Sequence, residues 1–235
     1  MKQEVNAQYN VARPGTIPVR IAAYQRRRMF DRFLSAHALP DPAAAILDVG
    51  VTSDRTYEAS NYLEAWYPFK NRITASGIDD AAFLSEIYPG LEYVRADALN
   101  LPFDSGAFDF VHASAVIEHV GSFANQARMI GECARVARKG FFITTPNRWF
   151  PIEFHTVLPL IHWLPKPAFR RAMRRLGRDF FADEANLNLM SARELLQAAN
   201  EAGVGSRFDI VVESVSLAAW PSNLLLIGTA RSRAG

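Results

Sequence analysis

The feature that most constrains this chain is a succession of short apolar runs, several ending in glycine or an acid, set apart by segments of helical period. Residues 46–50 (ILDVG) end in glycine, and residues 73–79 (ITASGID) and 91–97 (LEYVRAD) end in aspartate. Residues 108–116 (FDFVHASAV) and 140–145 (GFFITT) follow, and residues 211–217 and 224–229 close the series. Continuous apolar runs of this length suit buried strands. The first five alternate with helical segments, which predicts right-handed βαβ crossovers and a mostly parallel sheet. The last two are separated only by Trp220-Pro221-Ser222-Asn223. A link so short makes no parallel crossover, so the last strand is expected to be antiparallel. The expected class is therefore α/β: a seven-stranded, doubly wound, Rossmann-like sheet.

A chain of 235 residues fits one large α/β domain better than two. Residues 1–40 read as an arm (1–19) followed by an amphipathic helix from about Ile21 to Leu39. Residues 44–147 form the core, 148–190 a cap insertion, and 191–235 a C-terminal helix and strand pair. That helix is well signalled, with Ser191 as N-cap, Glu194 completing a capping box and Gly203 as its stop. The net charge of +2 gives no nucleic-acid footprint. The one cysteine, Cys133, excludes an intrachain disulfide and reads as a small core residue, and no metal site is expected. Neither a secretory signal nor an apolar run of spanning length is evident, so a cytoplasmic location is expected.

In an open parallel sheet, ligands bind outside the carboxyl ends of the strands. Strand one ends Asp48-Val49-Gly50, where glycine lets the backbone turn tightly, and a helix following it would aim N–H groups at a ligand carboxylate. Asp79 ends strand two, placed to accept from two ribose hydroxyls. Asp97, ahead of Ala98 and Leu99, ends strand three and suits an exocyclic adenine amine. Each acid alone also reads as a turn or cap residue. In this order they outline a nucleoside-shaped crevice.

Residues 96–120 (ADALNLPFDSGAFDFVHASAVIEHV) resemble the acidic–LPF–FD block of the class I S-adenosylmethionine-dependent methyltransferases, in the small-molecule branch called type 11. ILDVG (46–50), GID (77–79), ECARVARKGFFITTPN (132–147) and NLLLIGTA (223–230) are similar to that family in the same order. The resemblance implies S-adenosyl-L-methionine as cofactor. It implies Asp48, Gly50, Val51 and Thr52 at the methionine end, Asp79 and Asp80 at the ribose, and Asp97 and Ala98 at the adenine. Ala113 and Ser114 would lie beside the sulfonium. The family's D-x-G-x-G-x-G is altered here to Asp48-Val49-Gly50-Val51-Thr52-Ser53-Asp54. Either the Thr52 and Ser53 hydroxyls replace the lost backbone donors, or the site is degenerate and the chain a non-catalytic partner or regulatory protein.

The catalytic candidates are Glu118 and His119 after strand four and His155 after strand five. His119 matches a histidine frequent in the family. Asn147, Arg148, Trp149 and Glu153 are expected to line the acceptor site, with Arg148 and His155 facing the cavity. His112 reads as a satisfied core histidine. The expected acceptor is a small molecule, a glycan or a lipid-linked intermediate. Nucleic acid is not expected, because the N/D-P-P-Y/F motif of its amino-methylating enzymes does not follow strand four. The basic residues Arg170, Arg171, Arg174 and Arg175 read as a solvated face. Beside the apolar VLPLIHWLP they also allow peripheral membrane contact through 157–178.

Overall fold

The apolar runs pair into one seven-stranded sheet of order β3-β2-β1-β4-β5-β7-β6. A computed structural model of the chain describes residues 15–231, the Glu58 side chain excepted. Its strands are β1 (Ile46–Val49), β2 (Ile73–Gly77), β3 (Glu92–Arg95), β4 (Phe108–Ser114), β5 (Ala137–Pro146), β6 (Phe208–Leu217) and β7 (Trp220–Ala230). β1 pairs in parallel with β2 and with β4, so strand order reverses between β1 and β4. β7 enters between β5 and β6 and is antiparallel to both. Strands two to four end earlier than the apolar runs suggest, so Asp79 and Asp97 sit in the loops beyond the sheet.

The helices are α1 (Ile17–Ala36), α2 (Tyr62–Trp66), α3 (Phe83–Ile87), α4 (Phe123–Val136), α5 (Lys166–Arg175), α6 (Asp179–Ala182) and α7 (Ala192–Glu201). Side chains alternate across each strand, and this sorts the core into two layers. Leu47, Val49, Val111, Phe141 and Ile143 pack under α4 and α7. Ile46, Ala75, Phe110, Phe142 and Leu225 pack under α1, α2 and α3. Cys133 is buried in the first layer, as expected. A third small cluster, Phe169, Met173, Phe181, Leu187 and Leu189, holds the insertion together. Among the described residues no helix is long and apolar enough to cross a membrane.

Three local expectations are corrected. α1 begins at Ile17, because Pro18 is favourable in a first helical turn, so the end of the expected arm is helical; residues 1–14 lie outside those described. The β6–β7 turn is Ala218-Ala219, both at positive φ, and Trp220 to Asn223 belong to the strand. No helix follows β1 directly; a loop runs from Gly50 to a short 3₁₀ turn at Glu58–Asn61. The capping box of α7 forms as expected, and Gly203 follows in the left-handed region.

Candidate active site

Two cavities open along the carboxyl edge of the sheet. One, of about 560 Å³, is bordered by Gly50, Val51, Gly77, Asp97, Ala98 and Leu99. The other, of about 270 Å³, is bordered by Arg26, Thr52, Tyr57, Ser114, Phe154 and His155. Gly50, Ala115 and His119 border both. Gly50 has φ +91°, and a Cβ there would stand 2.2 Å from Val116, so only glycine fits the bend. A Cβ on Gly77 would stand 2.7 Å from the Val51 carbonyl oxygen. These bare backbones, with Ala98 beside them, leave a cradle at the strand-order reversal that suits a nucleoside.

The loop after β1 spends its donors inside the protein. The N–H groups of Gly50 and Val51 both donate to the Ser76 carbonyl, at 2.7 and 3.0 Å. Thr52 N–H donates to Asn61 Oδ1, and the Thr52 hydroxyl accepts from Asp54 N–H. The Ser53 hydroxyl donates to Asp79 Oδ2 at 3.4 Å. The Ser53 hydroxyl is therefore engaged with Asp79, while Thr52 still borders the smaller cavity. Asp79 and Asp80 border neither cavity, and Asp80 accepts from Ala82 N–H in a turn. Asp97 does border the larger cavity, and its Oδ1 accepts from Leu99 N–H.

Asp48 lies under the site rather than in its wall. Its position in β1 points it at the α1–α2 layer, where Oδ1 accepts from His112 Nδ1 at 2.6 Å. His112 Nε2 then accepts from the Tyr62 hydroxyl at 2.8 Å. Burial pushes Asp48 up to about 7 and His112 down to about 4. Glu64 is buried beside Asp48 and is held protonated, first by burial and then by the Asp48 charge. His112 is thus the satisfied core histidine expected. Ala113 is fully buried in β4 and reaches neither cavity, whereas Ser114 borders the smaller one.

The three catalytic candidates come together. His119 ends a short 3₁₀ turn after β4, and its Nδ1 donates to the Asn186 carbonyl at 2.7 Å. His155 Nδ1 donates to Glu153 Oε1 at 2.7 Å. The two Nε2 atoms stand 3.1 Å apart. Glu118 Oε2 accepts from the Thr145 hydroxyl at 2.9 Å, and Oε1 lies 3.8 Å from His119 Nε2. Burial pushes Glu118 up to about 7. Burial would also raise Glu153, but the His155 charge and hydrogen bonds overcome it and hold Glu153 at about 2. Burial works to lower His155, and Glu153 outweighs it, so His155 is raised. Burial and the neighbouring His155 drive His119 down to about 3. With both Nδ1 atoms donating, the close Nε2 pair has room for one proton between them.

The other acceptor candidates do not line the site. Asn147 shapes a turn, accepting from Trp149 N–H and donating to the Pro221 carbonyl. Arg148 donates to the His162 and Leu164 carbonyls and lies 3.8 Å from Glu194, outside both cavities. Trp149 is half exposed under the Arg148 guanidinium. Glu153 is buried behind His155. Their chemistry is spent on bracing the insertion against β7 and α7. Arg26, Tyr57 and Phe154, which do line the smaller cavity, were not singled out as ligands. Arg26 hid within a basic triplet that reads as a solvated face.

The methyltransferase-domain family pattern matches residues 47–144. No curated protein sequence matches the chain. Among solved structures, an S-adenosylmethionine-dependent methyltransferase from Thermotoga maritima is 16% identical, with 92% of each chain covered and a TM-score of 0.55. Magnesium protoporphyrin IX methyltransferase from Synechocystis, solved with bound SAH, is 12% identical over 96% of this chain and 92% of that one, at TM-score 0.57. The 4+2 cyclase SpnF is 16% identical over 87% and 80%, at TM-score 0.55. At such identities the likeness concerns the fold. Residues 47–144 thus carry a methyltransferase-domain pattern on a fold shared with S-adenosylmethionine-dependent methyltransferases, which indicates S-adenosyl-L-methionine as the cofactor.

Proposed function

We propose that this protein transfers the methyl group of S-adenosyl-L-methionine to a small molecule, glycan or lipid-linked intermediate whose acceptor atom lies in the smaller cavity. One observation carries the reading: a nucleoside-sized cradle and a second cavity meet at Gly50, Ala115 and His119. The cofactor, when bound, supplies a methyl group activated on a sulfonium. Asp97 and Ala98 would hold the adenine, and Gly50 and Thr52 the methionine end. The ribose hydroxyls would take over the Asp79 carboxylate from Ser53. Arg26 borders the smaller cavity beside Thr52 and supplies a cation for the cofactor's carboxylate, which the loop's spent N–H groups no longer offer. Phe154, His155 and Tyr57 would enclose the acceptor and exclude water.

Glu118, His119 and His155 titrate as one set. Glu118, near 7, gives that set room for one more proton around neutrality, so it can take the proton of an acceptor hydroxyl or amine. Calorimetric titration with S-adenosylhomocysteine tests the reading, with saturable one-to-one binding expected. A second reading, a non-catalytic partner of the same fold, is favoured by the loop whose donors are already spent. Absence of binding would select it. Leu160, Leu164 and Leu176 are exposed in the same chain segment as exposed Arg171, Arg174 and Arg175, which supports a membrane-surface approach for a lipid-linked acceptor.

A further inference from the structure

We propose that Glu118, His119 and His155 form a binding site for one divalent first-row transition-metal ion at the joint of the two cavities. Both histidines present the same nitrogen to the same point. Nδ1 of His119 meets a carbonyl oxygen, and Nδ1 of His155 meets a carboxylate oxygen, so each Nδ1 carries hydrogen. Each Nε2 then offers a lone pair, and the two stand 3.1 Å apart. Two lone pairs at that distance need a cation between them. In the metal-free protein a single proton serves.

The geometry suits a larger cation. Nitrogen ligands about 2.0–2.1 Å from one ion, at tetrahedral or octahedral angles, stand roughly 2.9–3.4 Å from each other. The third ligand is in place: Glu118 Oε1 is buried, has no hydrogen-bond partner, and lies 3.8 Å from His119 Nε2. One ligand atom from each of the three residues lies within 4.8 Å of the others. Each ligand is also oriented from behind, as metal ligands are: His119 by the Asn186 carbonyl, His155 by Glu153, and Glu118 by the Thr145 hydroxyl. Two imidazoles and one carboxylate favour zinc, manganese, iron(II), cobalt or nickel over calcium or magnesium, which prefer all-oxygen sets. Three protein ligands leave open positions, and His119 borders both cavities, so the ion would take a donor atom of whatever lies there. Within the proposed function, that atom is the acceptor's oxygen or nitrogen, held by the ion in place of the shared proton.

The test uses the full chain without a histidine tag, stripped with a chelator and titrated with zinc chloride and with cobalt(II) chloride. One-to-one binding and the visible absorption of a nitrogen-ligated cobalt(II) are expected. Glu118→Gln keeps the shape and should weaken binding at least tenfold. The double variant His119→Gln/His155→Gln should abolish the cobalt spectrum while circular dichroism stays that of the folded protein. If the wild-type chain binds no ion more tightly than that double variant, or if the double variant retains the spectrum, the inference fails and the site holds a proton only. If the double variant does not fold, Glu118→Gln decides alone, and an unchanged affinity there removes the carboxylate and with it the site. S-adenosylhomocysteine titration of the same samples keeps the two readings apart. Metal binding without cofactor binding upholds the site and sinks the proposed activity, and cofactor binding without metal binding does the reverse.

Discussion

Gly50 and Ala115 end the neighbouring strands β1 and β4, both with left-handed backbone, and both border the two cavities. For Gly50 that geometry is free; for Ala115, at φ +56°, it costs about 1 kcal/mol and holds a small side chain at the joint. Arg26 borders the smaller cavity with them. Burial lowers its pKa, partly offset by Tyr62, Asp54 and Tyr57, yet a guanidinium remains cationic in proteins. If it meets the cofactor's carboxylate, Arg26→Ala should weaken S-adenosylhomocysteine binding at least tenfold, since a charged hydrogen bond is worth about 1.5–3 kcal/mol. Affinity for 5′-methylthioadenosine, which lacks the amino-acid end, should not change. Equal losses for the two ligands would show that Arg26 only supports the loop. His37, buried against Phe33 and Phe110, gives a pH signature. Burial drives its pKa from 6.5 down to about 4. A depressed histidine adds stability that is fully present above 6.5 and is lost as pH falls toward 4, up to about 3 kcal/mol here. His37→Gln should lower stability at pH 7 but reduce the loss between pH 7 and pH 4.5, read from urea unfolding. A wild-type slope in the variant would place the acid sensitivity elsewhere. Residue type and order alone pointed to Gly50, Asp97, Ala98, Glu118, His119 and His155. They did not reveal that Asp48 turns to the opposite layer, because a strand residue faces whichever side its parity dictates.

At the level of elements, the β6–β7 hairpin turns on Ala218-Ala219, with φ of +49° and +65°. Two positive φ values in a two-residue loop are those of a type I′ turn, for which Asn-Gly is the favoured pair. Alanine pays about 1 kcal/mol or more at each such position. Ala218→Asn/Ala219→Gly should therefore stabilise the protein by about 1–2 kcal/mol, visible as a higher melting temperature. No gain would mean that the hairpin holds its register through other contacts, such as the irregularity at Val215/Ser216. The same alanines explain why the turn was misplaced in the sequence. Ala-Ala carries no turn signal, whereas Trp-Pro-Ser-Asn does, and Pro221 is accommodated beside that irregularity. The signalled elements came out as expected: five parallel strands, an antiparallel last strand, and a helix opened by Ser191 and Glu194, although the edge strand β3 is not buried. The loop after β1 did not: no helix follows it directly, and its N–H groups bond within the protein.

Across the whole molecule, the insertion borders both cavities, the smaller through Phe154, His155 and Val157. Glu184 and Ala185 border the larger cavity opposite Asp97 and Ala98. Asn188 ties that segment down. Its Nδ2 donates to the Gly121 carbonyl at 2.7 Å and to Glu184, and its Oδ1 accepts from Lys166. Gln126, buried in α4, donates to the carbonyls of both Ile117 and Asn188. Asn186 holds His119 through the same segment. The residues that orient His119 and those that border the larger cavity are therefore tied into one hydrogen-bonded unit. Binding cofactor should protect the backbone amides of residues 184–190 from hydrogen exchange, together with those of 115–122, although 62 or more residues separate the two segments. At a hundredfold excess over its dissociation constant, a ligand adds about 2.7 kcal/mol to the folded state, enough to slow exchange that proceeds through opening of the cradle. Asn188→Leu keeps the volume but strands the Gly121 carbonyl, at about 1–3 kcal/mol, while Lys166 keeps its ion pair with Glu194. That variant should keep the sheet amides protected, lose the ligand-induced protection of 184–190, and bind S-adenosylhomocysteine more weakly. Protection confined to 115–122 in the wild-type protein would show that the insertion stands apart from the cofactor, and that the acceptor side alone is its concern.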